Sequence, residues 1–173
     1  MLSCTKEVVL SLGSNLGDRI QNIKKAIEKL SQLPFQITKI SSFYKVPPIG
    51  FSSGNYFLNG VLVGKTHLPP LTLLVEIKKI EASLGRKIVL KRFSYTDRTI
   101  DIDIISYENE IINNKFLIIP HPLLHLRIFV LKPACEIIPF WYHPVLKKPI
   151  NLLYDELVKF NNVPPMQKIE KIL

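Results

Sequence analysis

The segment from Arg98 to Ile105 reads Arg-Thr-Ile-Asp-Ile-Asp-Ile-Ile and alternates isoleucine with aspartate at its centre. β-Branched residues favour an extended backbone, and an extended chain turns the same face outward at every second residue. Asp101 and Asp103 therefore share one face of a predicted strand, with Cα atoms roughly 7 Å apart at a rise of about 3.4 Å per residue. Any fold of this chain must bury the isoleucine face and give the paired carboxylates cations, hydrogen bonds or water.

Two interpretations of this acidic face are open. Paired carboxylates suit Mg²⁺, which takes one or two of them and completes its shell with water and phosphate. An amphipathic edge strand would instead leave both carboxylates in solvent. The residues around the strand have to distinguish the two.

The size and composition of the chain favour one domain. The sequence has 173 residues of which 47% are hydrophobic, enough for a single substantial core spanning 1–173. It has no apolar run of about 18 residues and no apolar signal segment at its start, so we expect a cytoplasmic protein that does not engage a membrane. Cys4 and Cys135 fit neither a disulfide framework nor a zinc spacing and are expected to be free thiols.

The charge of the chain predicts an anionic partner. Its formal net charge is +9, much of it from lysine pairs typical of solvated helix faces and loops. The arginines are more selective, because Arg86, Arg92 and Arg98 crowd into the interval just before the aspartate strand. Guanidinium groups bind phosphate oxygens in a bidentate fork, so arginines beside a magnesium site favour a nucleoside triphosphate over a nucleic-acid duplex.

Hydrophobic spacing predicts two well-marked helices. Apolar residues recur at three- and four-residue steps over 20–33, with Asp18 as the expected N-cap, and again over 73–84 before Gly85. Strand patterns occupy 7–12, 37–44, 56–66 and 99–107, and further helices are predicted at 129–138 and 152–160. The turn at 13–17 is not a phosphate loop, because it lacks the Lys-Ser or Lys-Thr ending of a Walker motif.

The order of these elements predicts the fold class. Strand, helix, strand, strand, helix, strand is the ferredoxin-like split βαβ arrangement, in which two helices cover one face of a mainly antiparallel sheet. The later helices can cover the other face. We therefore predict an α/β (α+β) fold elaborated to a three-layer α-β-α sandwich.

Taken together, several short motifs carry a family resemblance. They are Gly-Ser-Asn-Leu-Gly at 13–17, Ser-Ser-Phe-Tyr-Lys-Val-Pro-Pro-Ile-Gly at 41–50, Phe-Leu-Asn at 57–59, the segment 98–104, Pro-His-Pro at 120–122, and Arg127 with Phe129. In this order and spacing the chain resembles the 6-hydroxymethyl-7,8-dihydropterin pyrophosphokinase family, and the resemblance spans nearly the whole chain. The family transfers the pyrophosphate of ATP to a pterin alcohol in folate biosynthesis and releases AMP.

The resemblance implies how the reacting groups are held. Asp101 and Asp103 would hold two Mg²⁺ ions that bridge the triphosphate of the co-substrate ATP. Four arginines and one histidine would contact the phosphates, namely Arg86, Arg92, Arg98, Arg127 and His121. The reaction implied is direct attack by the pterin hydroxyl on the β-phosphorus, with Arg86, Arg92, Arg98 and the two aspartates as catalytic residues.

The resemblance also implies two binding sites. Adenine would contact backbone groups at Ile104 and Ile118 and an apolar wall at Leu74, with Glu81 near the nucleotide. The pterin would lie between two aromatic rings and against hydrogen-bonding groups, with Asp101 beside it. The remaining residues of that site are Val46, Pro47, Ile49, Phe57, Asn59 and Phe129.

Each of these residues also has an ordinary structural explanation. Phe57 and Phe129 could be core residues, Asn59 a strand-end hydrogen bonder and Glu81 a solvated helix residue. His121 could satisfy a loop carbonyl, and Arg127 could cap a helix. These alternatives concern single residues, whereas the resemblance depends on their combined order.

Two other functions are alternatives to pyrophosphate transfer. A nucleic-acid-binding domain is suggested by the basic charge and the ferredoxin-like order, but a strand that displays aspartates would repel phosphate without metal. A non-catalytic pterin or nucleotide sensor would keep the same pocket. We expect a monomer that binds ATP and the pterin, with no nucleic acid, and whose loops 41–55 and 85–97 close over the substrates.

Overall fold

The computed structural model describes residues 4–49, 53–86 and 96–169. The strands are β1 Lys6–Ser14, β2 Phe35–Ile40, β3 Phe43–Val46, β4 Phe57–Thr66, β5 Asp101–Tyr107, β6 Ile112–Asn113, β7 Ile118–Ile119 and β8 Gln167–Ile169. The helices are α1 Arg19–Ser31, α2 Pro70–Ser83, α3 Ile128–Ile137 and α4 Ile150–Phe160, with a 3-10 turn at Leu124–Leu126 before α3.

One antiparallel sheet organises the chain. Its strand order is β5-β1-β4-β3-β8, and β2 pairs with the other end of β4. β1 pairs with β4 from Lys6 opposite Thr66 to Ser14 opposite Leu58, and its other edge pairs with β5. If β2 and β3 are taken as two halves of one strand, the order is that of a split βαβ unit, which confirms the predicted fold class.

Two helical layers enclose this sheet. The side of β1 that carries Leu10 packs against α1 and α2, for example against Ile23 and Leu73. The opposite side, which carries Val9, packs against α3 and α4, for example against Leu131. The predicted three-layer α-β-α sandwich is therefore confirmed, and both faces of β5 are covered near its middle.

The helix boundaries follow from local capping. The side chain of Asp18 accepts a hydrogen bond from the backbone N–H of Gln21 at 3.0 Å and caps α1, as predicted. Gly85 follows α2 with a φ of +84°, a left-handed conformation that suits glycine at a helix end. Pro133 lies inside α3, and the helix continues through it as predicted.

The prediction of one strand over 37–44 is wrong. The backbone N–H of Ser41 donates to the carbonyl of Val61 at 2.9 Å, and the Ser41 hydroxyl accepts from the N–H of Val61 at 2.9 Å. The serine side chain thus takes a place that a regular ladder gives to a backbone carbonyl, and the strand bends there into β2 and β3. β3 then continues to Val46, two residues beyond the predicted end.

The predicted end of the first strand is also wrong. Residues 13–14 belong to β1 rather than to the following turn, because Gly13 pairs with Asn59 of β4 and with Asp101 of β5. The turn begins only after Ser14. Gly13 is consequently held between the strands that carry the candidate site.

Two further expectations concern the cysteines and the membrane. Cys4 is exposed and Cys135 is partly buried, and both are free thiols. Burial raises the pKa of the Cys135 thiol to about 11. Within the three described ranges, no helix is long and apolar enough to cross a bilayer.

Candidate active site

The two aspartates of β5 point into one cleft at the end of the sheet. Asp101 and Asp103 both line it, while Ile102 and Ile104 turn into the core beneath α1 and α2. The two carboxyl side chains keep 22% and 31% of their surface exposed. Alternation along a half-buried strand therefore places both carboxylates at the same opening, where a small ion or a ligand can reach them.

Two arginines hold Asp101. Arg86 Nη1 donates to Asp101 Oδ1 at 2.6 Å, and Arg98 Nη1 donates to Asp101 Oδ2 at 2.6 Å. Burial raises the pKa of Asp101, but the charges of Arg98 and Arg86 outweigh it and hold that pKa below its ordinary value. The carboxylate is ionised at neutral pH, and its pairing with these two arginines was not predicted.

Glu81 supports this pair from α2. It accepts from Arg86 in a short hydrogen bond and from the backbone N–H of Ile102 at 2.8 Å, and its side chain is only 2% exposed. Burial raises the pKa of Glu81, partly offset by Lys78 and Arg86. The alternative that Glu81 is a solvated helix residue is wrong, because it orients Arg86 and anchors α2 to the outer edge of β5.

A second charged group surrounds Asp103. Arg127 Nη1 donates to Asp103 Oδ2 at 3.0 Å, and the same Nη1 lies 3.3 Å from His121 Nε2. His121 Nδ1 accepts from the backbone N–H of Leu123 at 3.1 Å. Burial lowers the pKa of His121 and outweighs the Asp103 carboxylate, which raises it, so the ring is neutral at pH 7, with Nε2 3.9 Å from Asp103 Oδ2. Arg127 occupies the N-cap position of α3 without a side-chain cap, so its guanidinium serves the cleft instead.

All seven residues predicted to contact the pterin line the same cleft. They are Val46, Pro47, Ile49, Phe57, Asn59, Asp101 and Phe129. The cleft holds about 600 Å³ of space, a figure that includes open solvent at its mouth. β3, β4 and α3 each supply one wall, so the structure brings together segments that are distant in the sequence.

Sequence reasoning missed two lining residues. Ser11 and Gly13 of β1 also line the cleft. A Cβ on Gly13 would lie 2.5 Å from Asn59 Oδ1, so glycine is what lets the asparagine side chain pass. The signal was available, since small residues at alternate positions of a hydrophobic strand indicate a face that leaves space for something else.

The residues predicted to bind adenine do not line the cleft. The side chains of Leu74 and Ile104 pack in the core on the α1–α2 side, and neither lines the cleft. Ile118 lies in β7 with 43% of its surface exposed. The N–H of Ile102 faces away from β1 and donates to Glu81. Since residues two apart in a strand direct their backbone polar groups to the same side, the backbone polar groups of Ile104 also face this outer edge of β5.

Several predicted features cannot be placed. Arg92 lies outside the described residues, as do the other residues of 87–95 and the loop residues 50–52. The expected contact of Arg92 with phosphate and the expected closure of loops 41–55 and 85–97 stay predictions.

Comparison with known proteins identifies the family. The model of one protein family, 7,8-dihydro-6-hydroxymethylpterin-pyrophosphokinase (HPPK), matches residues 9–139. The chain belongs to this family. The match includes every described residue singled out in the cleft.

Relatives from the HPPK family cover most of the chain. It is 48% identical over 165 residues to a 2-amino-4-hydroxy-6-hydroxymethyldihydropteridine pyrophosphokinase of Aquifex aeolicus, covering 95% of this chain and 98% of that protein. A protein of the same name from Bacillus subtilis is 39% identical over 129 residues, covering 74% of this chain and 75% of that one.

Solved structures agree on the fold. A Plasmodium falciparum HPPK-DHPS triple mutant superposes with a TM-score of 0.75 at 20% identity. The match covers 91% of this chain but only 45% of that longer chain. At this identity the likeness supports the HPPK fold alone.

Proposed function

We propose that the chain transfers pyrophosphate from ATP to 6-hydroxymethyl-7,8-dihydropterin in folate biosynthesis, giving the pterin diphosphate and AMP. The observation that carries this assignment is the single cleft in which the aromatic and amide side chains lie beside two arginine-paired carboxylates. Membership of the HPPK family and the name of the 48% identical relative support the same activity.

The apolar half of the cleft suits a flat heterocycle. Phe57 and Phe129 stand on β4 and at the start of α3, and both line it. The Arg127 guanidinium lies 5.6 Å from the Phe129 ring centroid, which limits the positions open to that ring. Asn59 then supplies amide donors and acceptors for the edge of the pterin, and Val46, Pro47 and Ile49 supply the loop wall.

The polar half suits a triphosphate. Arg86, Arg98 and Arg127 each direct a guanidinium toward β5, and the neutral His121 ring lies beside Arg127. In this structure they neutralise Asp101 and Asp103, and the same groups can reach a phosphate chain laid along the carboxylates. Such fixed donors stabilise charge that develops during transfer. Arg92, Glu81 and the adenine contacts at Leu74, Ile104 and Ile118 complete the proposed ATP site.

The residues present fit magnesium. Asp101 and Asp103 offer carboxylate oxygens at one accessible opening, and Mg²⁺ needs only one or two such ligands when phosphate and water complete its shell. Within the described ranges no third acidic, histidine or cysteine side chain joins them. We infer that these two aspartates hold two Mg²⁺ ions with ATP. Bound there, magnesium would neutralise triphosphate charge and align the reacting oxygens.

The proposed reaction is a direct displacement. The hydroxyl oxygen of the pterin forms a bond to the β-phosphorus, the bond from that phosphorus to the α–β bridging oxygen breaks, and AMP leaves with the electron pair. The hydroxyl proton passes to solvent. We infer further that the protein acts as a monomer in the cytoplasm, without nucleic acid as a partner.

The experiment is AMP release measured by chromatography, with ATP, Mg²⁺ and the reduced pterin each omitted in turn. We expect AMP only when all three are present. Asp101→Ala and Asp103→Ala should each abolish release while the circular dichroism spectrum is retained. Asp155→Ala, a change at an exposed position on α4, is the matched control and should remain active.

Two results would contradict the assignment. Tight pterin binding without AMP release in the wild-type protein would favour the sensor. Salt-sensitive binding of RNA or DNA that competes with ATP would favour the nucleic-acid-binding domain.

A further inference from the structure

We propose that Asp97 is a positioning residue that fixes the pterin-binding wall of the cleft relative to Arg98, an inference that rests on the proposed function. Asp97 does not line the cleft. It is the hub of a hydrogen-bond network that joins three chain segments, each of which lines the cleft within a few residues of the network.

Three side chains donate to the Asp97 carboxylate. Oδ1 accepts from Asn15 Nδ2 at 2.6 Å and from Ser53 Oγ at 2.7 Å. Oδ2 accepts from Asn55 Nδ2 at 2.6 Å. Asn15 follows β1, Ser53 and Asn55 precede β4, and Asp97 precedes β5, so one carboxylate connects the segments adjoining three strands.

Asn15 links the hub to Arg98. The Asn15 side chain is fully buried, and its Oδ1 accepts from the backbone N–H of Arg98 at 2.8 Å. The backbone N–H of Asn15 in turn donates to the carbonyl of Arg98 at 3.1 Å. Asn15 therefore holds both backbone polar groups of Arg98, whose guanidinium contacts Asp101. Because Asp97 fixes the Asn15 amide, it also fixes the backbone position from which the Arg98 side chain extends.

The other side of the hub fixes the approach to β4. Ser53 Oγ accepts from the backbone N–H of Asn55 at 3.0 Å, and Arg19 Nε donates to the carbonyl of Tyr56 at 3.0 Å. Phe57, the next residue, begins β4 and lines the cleft. The segment before β4 is thus tied to Asp97 directly and to α1 through Arg19.

The chemistry requires a carboxylate. Both oxygens must accept, and an ionised carboxylate has acceptor sites for three donors, whereas an amide presents one N–H₂ group. In Asp97→Asn that group would face either Asn55 or the pair formed by Asn15 and Ser53, and a donor would meet a donor. The hydrogen bonds from Ser53 and Asn55 also lower the pKa of Asp97, which keeps it ionised.

The test compares steady-state kinetics of Asp97→Asn with Asp155→Asn, the same chemical change on the exposed face of α4. We expect Asp97→Asn to raise the KM for the pterin roughly tenfold, the effect of losing hydrogen bonds to a charged group. Most of the change should fall on KM rather than kcat. A purely structural carboxylate would lower the unfolding midpoint and leave the pterin KM unchanged, and that result would overturn the inference.

Ser53→Ala provides a second, milder probe because it removes one hydroxyl. We expect it to raise the pterin KM roughly threefold, and to add little when combined with Asp97→Asn, because both changes break the same connection. If Asp97→Asn does not fold, Ser53→Ala decides alone: an unchanged pterin KM overturns the inference. Absence of AMP release in the wild-type protein is a different result, which would overturn the proposed function itself.

Discussion

Replacing Gly13 by alanine should separate pterin binding from folding. The new Cβ would lie 2.5 Å from Asn59 Oδ1, whereas an ordinary contact is at least 3.4 Å, so the oxygen has to move by about 0.9 Å. Oδ1 is the end of a rotatable side chain and can move without shifting the backbone. The displaced group is the amide that we place against the edge of the pterin.

The magnitude follows from the hydrogen bonds lost. A ligand group that no longer meets its buried partner loses about 1 to 3 kcal/mol, which is roughly a 5- to 150-fold fall in kcat/KM. The effect on folding should be much smaller. Gly13→Ala reduces the freedom of the unfolded chain, which offsets part of the crowding, so the free energy of unfolding should change by less than about 1 kcal/mol.

The assay is AMP release at saturating ATP with varied pterin, alongside thermal unfolding. Gly54→Ala is the matched control, because no atom of the described residues beyond its two chain neighbours lies within 4 Å of the new Cβ. We expect Gly54→Ala to behave as the wild-type protein. If Gly13→Ala had a pterin kcat/KM within about twofold of that control, the placement of Asn59 against the pterin would be refuted.

Three further changes probe the sheet, the α3 contact and the aromatic wall. Gly64→Ala places a Cβ 2.2 Å from the Phe35 ring, so we expect unfolding to become easier by about 1 to 3 kcal/mol, measured by urea titration. Burial raises the pKa of Glu136, but hydrogen bonds led by that from Tyr44 outweigh it and hold the pKa below its ordinary value. Its stabilising effect is therefore complete above the ordinary pKa of a glutamate and is lost as the pH falls through the lowered pKa, so Glu136→Gln should destabilise the protein at pH 7 and progressively less in acid. Phe129→Ala should weaken pterin binding by roughly 5- to 150-fold in a fluorescence titration, the usual range for a stacked base.

Each of these three predictions has an outcome that would contradict it. A Gly64→Ala protein as stable as Gly54→Ala would show that the ring moves freely. A destabilisation by Glu136→Gln that stayed constant down to acid pH would show that its charge is not involved. Undiminished pterin affinity in Phe129→Ala would remove α3 from the site.

Local patterns were sufficient for the helices and for the face of β5. The spacing of isoleucines and leucines over 20–33 and the side chain of Asp18 define α1 within the sequence itself. The isoleucine and aspartate alternation likewise fixes which side of β5 enters the core. These features depend on neighbours a few residues apart, which is why they are readable without a structure.

Features that depend on residues distant in the sequence could not be predicted from local patterns. The bend at Ser41 arises because its hydroxyl replaces a backbone acceptor for Val61, twenty residues away. β8 is a short polar strand, Gln167–Ile169, that has no hydrophobic pattern and forms only because β3 offers an open edge.

In the candidate site, too, some features were predictable from the sequence and others depend on residues that are distant in it. Asp101 and Asp103 were recognisable from their alternation, and the family resemblance named the residues that line the cleft except Ser11 and Gly13. Their electrostatic partners were not predictable, because the pairing of Arg86 with both Glu81 and Asp101 requires α2 to pack beside β5. The network at Asp97 depends in the same way on three loops meeting.

The most direct measurement is ³¹P NMR of the products formed from ATP, Mg²⁺ and 6-hydroxymethyl-7,8-dihydropterin. Transfer of pyrophosphate predicts AMP and a pterin diphosphate in equal amounts, the latter with two coupled phosphorus signals. ADP together with a pterin monophosphate would show attack at the γ-phosphorus and contradict the proposed reaction, and unchanged ATP would contradict catalysis altogether.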